Sequence, residues 1–243
     1  MNDTPLHDAP RSHAPPDPPP PPPGIVPAEP LNPWFSIWVQ PRATMRQILD
    51  TDPHRMVHLL ALAAGSFGGL EAHIPAPASD ILPLPAMIAM KVIFGALGAL
   101  LFLYLFGFLL RLTGGWLHGT GDFAALRSAL AWSMIPNIWS ALLLLPLMAF
   151  MGADALNYDP VEMIEEPGAT VLLVPIMMLT LIIAVWSIVI TIKCVAEAHR
   201  FSAWHGLGAA LLSLFILSVP IIVITVFVTV VVIGMLGLSL GNY

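Results

Sequence analysis

The sequence predicts an all-α, polytopic membrane helix bundle with five transmembrane helices and a disordered, proline-rich N-terminal tail. Composition is the first observation: 57% of the residues are hydrophobic, 10% are charged, and the mean hydropathy is +0.83. Soluble domains carry about 25% charged residues, so a water-soluble fold would leave too much apolar surface uncovered. The second observation is that the apolar residues form long continuous runs, whereas the strands of a membrane barrel alternate in hydrophobicity.

Residues 1–30 form the predicted tail, which contains an unbroken run of prolines from Pro18 to Pro23. Proline lacks the backbone N–H that helices and sheets need, so this segment is expected to be extended or disordered and to join no core. We interpret it as a spacer; the alternative is a docking peptide for a proline-binding groove.

Residues 31–52 form a predicted interfacial amphipathic segment that precedes the transmembrane domain of residues 53–243. Trp34, Trp38, Arg42 and Arg46 are its predicted membrane-interface residues. Tryptophan prefers the level of the lipid headgroups, and arginine is attracted to the anionic inner leaflet. The same pattern also suits a helix that packs on the bundle and meets lipid only incidentally, and the sequence leaves both interpretations open.

Five apolar stretches are long enough to span the hydrocarbon core. Asp52 and Pro53 are predicted to be the N-cap and first turn of the first span, and Asp122 is predicted to cap the third. The fifth is predicted to be one helix bent at Pro220, because no turn-forming residue flanks that proline. The predicted spans cover residues 53–73, 86–112, 123–151, 170–194 and 207–240.

A glycine-rich polar turn joins the second and third spans. Gly114, Gly115, Gly119 and Gly121 lie within eight residues, so neither helix nor strand is expected to pass through them. Pro136, in the third span, is a second predicted hinge. Small residues of the second span, Gly95 and Gly107 among them, predict close contact between helices.

Basic residues predict the orientation of the chain. In a five-span topology all but Lys91 of the nine Lys and Arg residues fall on one side of the membrane. The loop of residues 152–170, on the other side, carries five acidic residues and no basic one. The positive-inside rule then predicts a cytoplasmic N-terminus and a non-cytoplasmic C-terminus.

Charged groups in or beside spans are costly, so they usually have a partner or a function. Glu71 and Lys91 lie near the outer ends of the first two spans and are predicted to form a polar pair. The alternative for that pair is a proton or cation relay. His58 and Asn137 are predicted to hydrogen-bond to neighbouring helices.

The sequence predicts no catalytic residue, no cofactor and no metal site. It contains no His-Glu-x-x-His, no Walker lysine and no Gly-rich dinucleotide-binding turn placed after a strand. His118 and Asp122 offer two metal ligands without a third. The single cysteine, Cys194, excludes an internal disulfide, and no basic face predicts a nucleic-acid partner.

Three features of the chain resemble the bacterial branch of the Yip-one domain family of Ypt/Rab-interacting membrane proteins. These are the opening NPWFSIWVQPRATMRQILDTDP, the turn TGGWLHGTGDF that leads into ALAWSMIP, and the five-span count. The resemblance covers residues 32–240 and implies a non-enzymatic protein of the bacterial inner membrane. Eukaryotic relatives bind Rab-type GTPases, but this chain lacks their acidic-Leu-Tyr-Gly-Pro motif, so a Rab-type GTPase is not expected as a partner.

Two functions follow from these patterns. The first is a scaffold that organises the lipid bilayer or membrane protein partners, as the resemblance and the interfacial segment suggest. The alternative is a small-solute transporter or channel, because prolines interrupt several spans and broken helices often line transport sites. A polar cavity between Pro136 and Pro175 would favour transport, whereas the odd span count and the lack of an internal repeat argue against it.

Overall fold

The computed structural model describes residues 30–74, 81–156 and 169–240, and the ordered elements in these ranges are all helices. No strand occurs in them, which confirms the all-α prediction, while the predicted tail of residues 1–30 lies outside the described residues except for Pro30. The helices are α1 (Pro33–Val39), α2 (Pro41–Thr51), α3 (Val57–Glu71), α4 (Leu84–Trp116), α5 (Phe123–Ser133), α6 (Ile135–Ser140), α7 (Leu144–Met151), α8 (Ala169–His199) and α9 (Ala203–Leu240), with short 3-10 turns at Ala141–Leu143 and Gly152–Leu156.

Four helical segments of the described chain are long and apolar enough to cross a membrane: Leu84–Trp116, Phe123–Met151, Leu173–His199 and Ala203–Val231. Helix α3 is also apolar but has 15 residues. At 1.5 Å per residue it is roughly 22 Å long, shorter than the ~30 Å hydrocarbon core. The protein therefore has four candidate spans and one shorter apolar helix.

The first two helices belong to the core of the bundle. Asn32 caps α1 by accepting a hydrogen bond from the N–H of Trp34, and prolines occupy the first position of both α1 and α2. Ile37, Met45 and Ile48 are fully buried on the inner faces of this pair. Helix α2 packs against α8, and Arg46 and Glu197, which meet there, are 151 residues apart in the sequence.

The first apolar helix begins later than the sequence predicts. Asp52 ends α2, and its carboxylate accepts a hydrogen bond from the N–H of His54 at 2.9 Å. Turns follow, Met56 takes a left-handed backbone with φ 55°, and α3 starts at Val57. The predicted N-cap role of Asp52 and Pro53 is therefore wrong, because the aspartate side chain stabilises a local turn instead of a helix start.

Helices α3 and α4 form the most extensive helix pair, and glycines on both sides allow it. A Cβ at Gly95 would lie 2.8 Å from the Cα of Gly69, and one at Gly65 would overlap the carbonyl of Gly95 and the Cβ of Ala99. The small-residue contact predicted for Gly95 is confirmed. Its partners Gly65 and Gly69, four residues apart on α3, were not predicted; this spacing lets two backbones meet.

The third predicted span is one apolar segment made of three short helices. Helix α5 begins after Asp122, whose carboxylate accepts a hydrogen bond from the N–H of Ala125 at 2.7 Å, which confirms the predicted cap. Helix α5 ends at Ser133 and α6 begins at Ile135, so the helix is interrupted at Met134, two residues before Pro136. By contrast, α9 continues through Pro220 as a single helix, as predicted.

Candidate functional site

His199, the last residue of α8, is 1% exposed, and its ring contacts the glycine-rich turn between α4 and α5. The N–H of Gly121 donates to Nδ1 at 3.1 Å, and Nε2 lies 3.1 Å from the carbonyl oxygen of Leu110. Because the first contact needs a bare Nδ1 and the second needs a proton on Nε2, the two bonds together require the neutral Nε2–H tautomer.

The turn glycines are explained by this ring. A Cβ at Gly119 would lie 2.5 Å from Nδ1 of His199, and one at Gly121 would lie 2.8 Å from the same atom. A Cβ at Gly114 would overlap the ring as well, whereas one at Gly115 would meet nothing within 4 Å. Three of the four glycines are therefore required by the close approach of the imidazole.

The prediction that no helix passes through Gly114 and Gly115 is wrong. Both lie in the last turn of α4, which continues to Trp116, and the reversal occurs over residues 117–122 with His118 at φ 64°. The surrounding packing stabilises a helical conformation that glycine alone disfavours. His199 itself was not predicted; its sequence signal is only a histidine at the end of an apolar run.

A cleft of about 810 Å³ opens beside the turn, between α2, the start of α5 and the end of α8. Arginines and acids line it in equal number, so the cleft is charge-balanced and is not a basic patch. We call it the α2–α8 cleft, and its lining is Arg42, Arg46, Leu49, Asp50, Pro53, Thr120, Gly121, Asp122, Ala125, Glu197, Ala198, Arg200 and Phe201.

The two predicted interface arginines bind the end of α8. Arg46 forms an ion pair with Glu197, with Nη2 and Oε1 2.7 Å apart, and this partner raises the pKa of Arg46. Nη2 of Arg42 donates to the carbonyl oxygen of Phe201 at 3.0 Å. Phe201 lies in the link between α8 and α9, two residues after α8 ends, so this bond ties α2 to that link.

The two predicted interface tryptophans also contact the bundle. The ring of Trp34 meets that of Trp132 edge-on, with centroids 6.3 Å apart, and the indole N–H of Trp186 donates to the carbonyl of Trp38 at 3.0 Å. These contacts favour the interpretation in which the segment packs on other helices. Contact of the same segment with lipid stays a prediction.

The structure does not bring Glu71 and Lys91 into the predicted polar pair. Nζ of Lys91, which is 4% exposed, donates to the carbonyl of Leu70 at 3.3 Å and to that of Leu156. The ion pair found among the described residues is Arg46–Glu197. The lysine instead binds a carbonyl in the last turn of α3, which attracts a cation in the same way as any helix C-terminus.

A second cavity, of about 470 Å³, lies among α3, α4, α6 and α8. Its polar lining is Glu71, Asn137, Ser140 and Thr180, and neither Pro136 nor Pro175 lines it. The amide oxygen of Asn137 accepts from Oγ of Ser187 at 3.1 Å, and Nε2 of His58 lies 2.8 Å from the hydroxyl of Tyr104. These contacts confirm the predicted interhelical hydrogen bonds of Asn137 and His58.

Within the described ranges, no group of three His, Cys, Asp or Glu side chains could hold a metal ion. His118 and Asp122 therefore have no third ligand there. Asp122 acts as the helix cap described above, and His118 occupies the left-handed position of the turn.

The family model of the Yip1 domain matches residues 35–226, from α1 to the middle of α9. The chain belongs to the Yip1 family. With its four long apolar segments, this makes it an integral membrane protein of Yip1 type, in a family that is non-enzymatic. The Yip1 match includes both the α2–α8 cleft and the glycine-rich turn. Comparison with curated proteins and comparison with solved structures each find no match.

Proposed function

We propose that this Yip1 protein is a membrane scaffold whose α2–α8 cleft binds a segment of a membrane protein partner. The observation that carries the proposal is the charge distribution of the cleft. Arg200 and Asp50 are exposed and make no side-chain hydrogen bond or ion pair, while Arg46, Glu197 and Asp122 are engaged in the contacts that shape the cleft. A peptide that carries both signs of charge would be complementary to these two exposed side chains.

We further propose five spans, with α3 as the first, in the bacterial inner membrane. Helix α3 lies antiparallel along α4, since its start contacts Tyr104 and its end contacts Lys91. It therefore covers much of the apolar part of α4. Local thinning of the bilayer accommodates a helix that is shorter than the hydrocarbon core. This topology puts the N-terminus and the α2–α8 cleft in the cytoplasm and the C-terminus outside.

Lipid and membrane proteins are the proposed partners. Rab-type GTPases partner the Yip1 family in general, but this chain lacks the acidic-Leu-Tyr-Gly-Pro motif, so they are not part of the proposal. No nucleic acid is proposed either, because the cleft balances its charges.

Site-specific photocrosslinking in native membranes tests the scaffold function. A photoreactive residue at Asp50 should give a discrete protein adduct, whereas one at Phe94, which is 68% exposed in the apolar part of α4, should give lipid adducts only. Arg200→Gln should reduce the Asp50 adduct several-fold, and Arg111→Gln, outside the cleft, should not. Absence of a protein adduct at Asp50, or equal loss in both variants, would contradict the proposal.

A small-solute transporter is the second candidate, and the cavity with its four polar side chains is the observation that favours it. Transport requires that the cavity open to both sides in turn. A cysteine introduced at Thr180 should then react with a membrane-impermeant thiol reagent from each side of oriented vesicles, while buried Cys194 stays unreactive. Protection from one side throughout would exclude this function.

A further inference from the structure

Helix α4 contains an uncharged stretch, residues 92–110, between Lys91 and Arg111. These residues make roughly 28 Å of helix, close to the ~30 Å thickness of the hydrocarbon core. Tyr104 lies seven residues before Arg111, about 10 Å further into this layer. A charged group beside Tyr104 therefore lies within this layer, about 10 Å from the level of Arg111.

Arg127 of α5 is such a group. Its guanidinium carbon lies 5.0 Å from the ring centroid of Tyr104 and 4.8 Å from that of Phe123. Gly107 provides the space, because a Cβ there would lie 3.3 Å from Cγ of Arg127. The bond between the hydroxyl of Tyr104 and His58 holds one of the two rings in place. Three helices thus position a single guanidinium.

This guanidinium has no anionic partner in the protein. The one ion pair of the described residues is Arg46–Glu197, and no hydrogen bond from Arg127 is present there. Its Nε is buried and has no acceptor. Its two terminal nitrogens are accessible from outside the protein. An arginine at this depth is costly unless an anion or water accompanies it, so this guanidinium is available to a partner from outside the chain.

We propose that Arg127, Tyr104, Phe123 and His58 form a binding site for the phosphate of an anionic phospholipid. Guanidinium matches phosphate through two parallel hydrogen bonds, and stacked rings hold its plane ready for them.

The surface around the site identifies lipid as the source of the phosphate. Leu101 and Phe108 lie three residues before and four residues after Tyr104, on the same face of α4, and are 67% and 55% exposed. Acyl chains would cover these side chains while the headgroup meets Arg127. Inorganic phosphate would make no use of this apolar face.

Native mass spectrometry of the full chain, titrated with phosphatidylglycerol, tests the site. We expect one tightly held phosphatidylglycerol per chain and at least about fivefold weaker binding in Arg127→Gln, which corresponds to the loss of charge-assisted hydrogen bonds. Arg111→Gln is the matched control, because it removes the same charge from an exposed position on α4 that has no stacked ring. It should bind as the unmodified protein does.

A second pair of variants keeps the proposal testable if Arg127→Gln fails to fold. Tyr104→Leu removes one ring and should weaken binding, whereas Tyr104→Phe keeps the ring and should retain most of it. Equal binding by all variants, or equal loss in Arg127→Gln and Arg111→Gln, would overturn the site. Displacement of the lipid by inorganic phosphate at equal concentration would overturn its assignment to a phospholipid.

Discussion

Alanine at Gly114 tests the contact between His199 and the glycine-rich turn. The new Cβ would overlap the imidazole and lie 2.9 Å from its Cδ2. The ring cannot move away without breaking its bonds to Gly121 and to Leu110. Overpacking costs about 1–3 kcal/mol, and each lost hydrogen bond costs about 0.5–1.5 kcal/mol. Against this, alanine in a helix gains about 0.5–1 kcal/mol over glycine.

Gly115→Ala is the matched control, because it receives the same helical gain and its Cβ meets nothing within 4 Å. We expect Gly114→Ala to lower the free energy of unfolding by about 2 kcal/mol and Gly115→Ala to raise it by up to about 1 kcal/mol. For a chain of this size the pair should differ in Tm by roughly 4–12 °C.

Thermal unfolding of the purified protein, followed by tryptophan fluorescence, measures this difference. His199→Ala removes the obstructing ring, so adding Gly114→Ala to it should cost much less than adding Gly114→Ala to the unmodified protein. Equal Tm values for Gly114→Ala and Gly115→Ala would refute the role assigned to the ring.

Three further predictions concern the ion pair of α2, the contact between α3 and α4, and the membrane topology. Arg46→Glu should weaken docking of α2 onto α8 and increase proteolysis of the N-terminal helices, and the exchange Arg46→Glu with Glu197→Arg should restore protection; no recovery would contradict the ion pair. Gly69→Ala should lower Tm by several degrees, because its Cβ would lie 3.1 Å from the Cα of Gly95, whereas Gly68→Ala, which meets nothing within 4 Å, should not. A fluorescent reporter fused after Tyr243 should be dark and a phosphatase fusion active; the reverse pair of results would refute the five-span topology.

The sequence predicts a feature correctly where all the residues that form it lie within one short stretch. Asp122 is predicted as a cap from its place before an apolar run, and the cap depends only on Ala125, three residues away. The single helix through Pro220 is likewise predicted from neighbours that lack turn residues. Asp52 was misread because two local uses of an aspartate, a helix cap and a turn, share one pattern.

The candidate site depends on contacts between distant parts of the chain, so only its fragments were predictable. The glycines of the turn were visible, but their reason is a ring 78 residues away from Gly121. Arg42 and Arg46 were recognised as one basic face of an amphipathic helix. That pattern is the same whether the face meets anionic lipid or the acidic end of another helix, so Glu197 could not be identified as the partner.

The attachment of α2 to the end of α8 also constrains the order in which the protein assembles. The hydrogen bond from Arg42 to Phe201 joins residues 159 positions apart. While the chain is being synthesised from its N-terminus, the buried face of α2, with Met45, has no α8 to pack against until three long apolar segments have been made. Docking of α2 onto α8 must therefore follow the synthesis of α8, and α2 needs another cover for its apolar face until then.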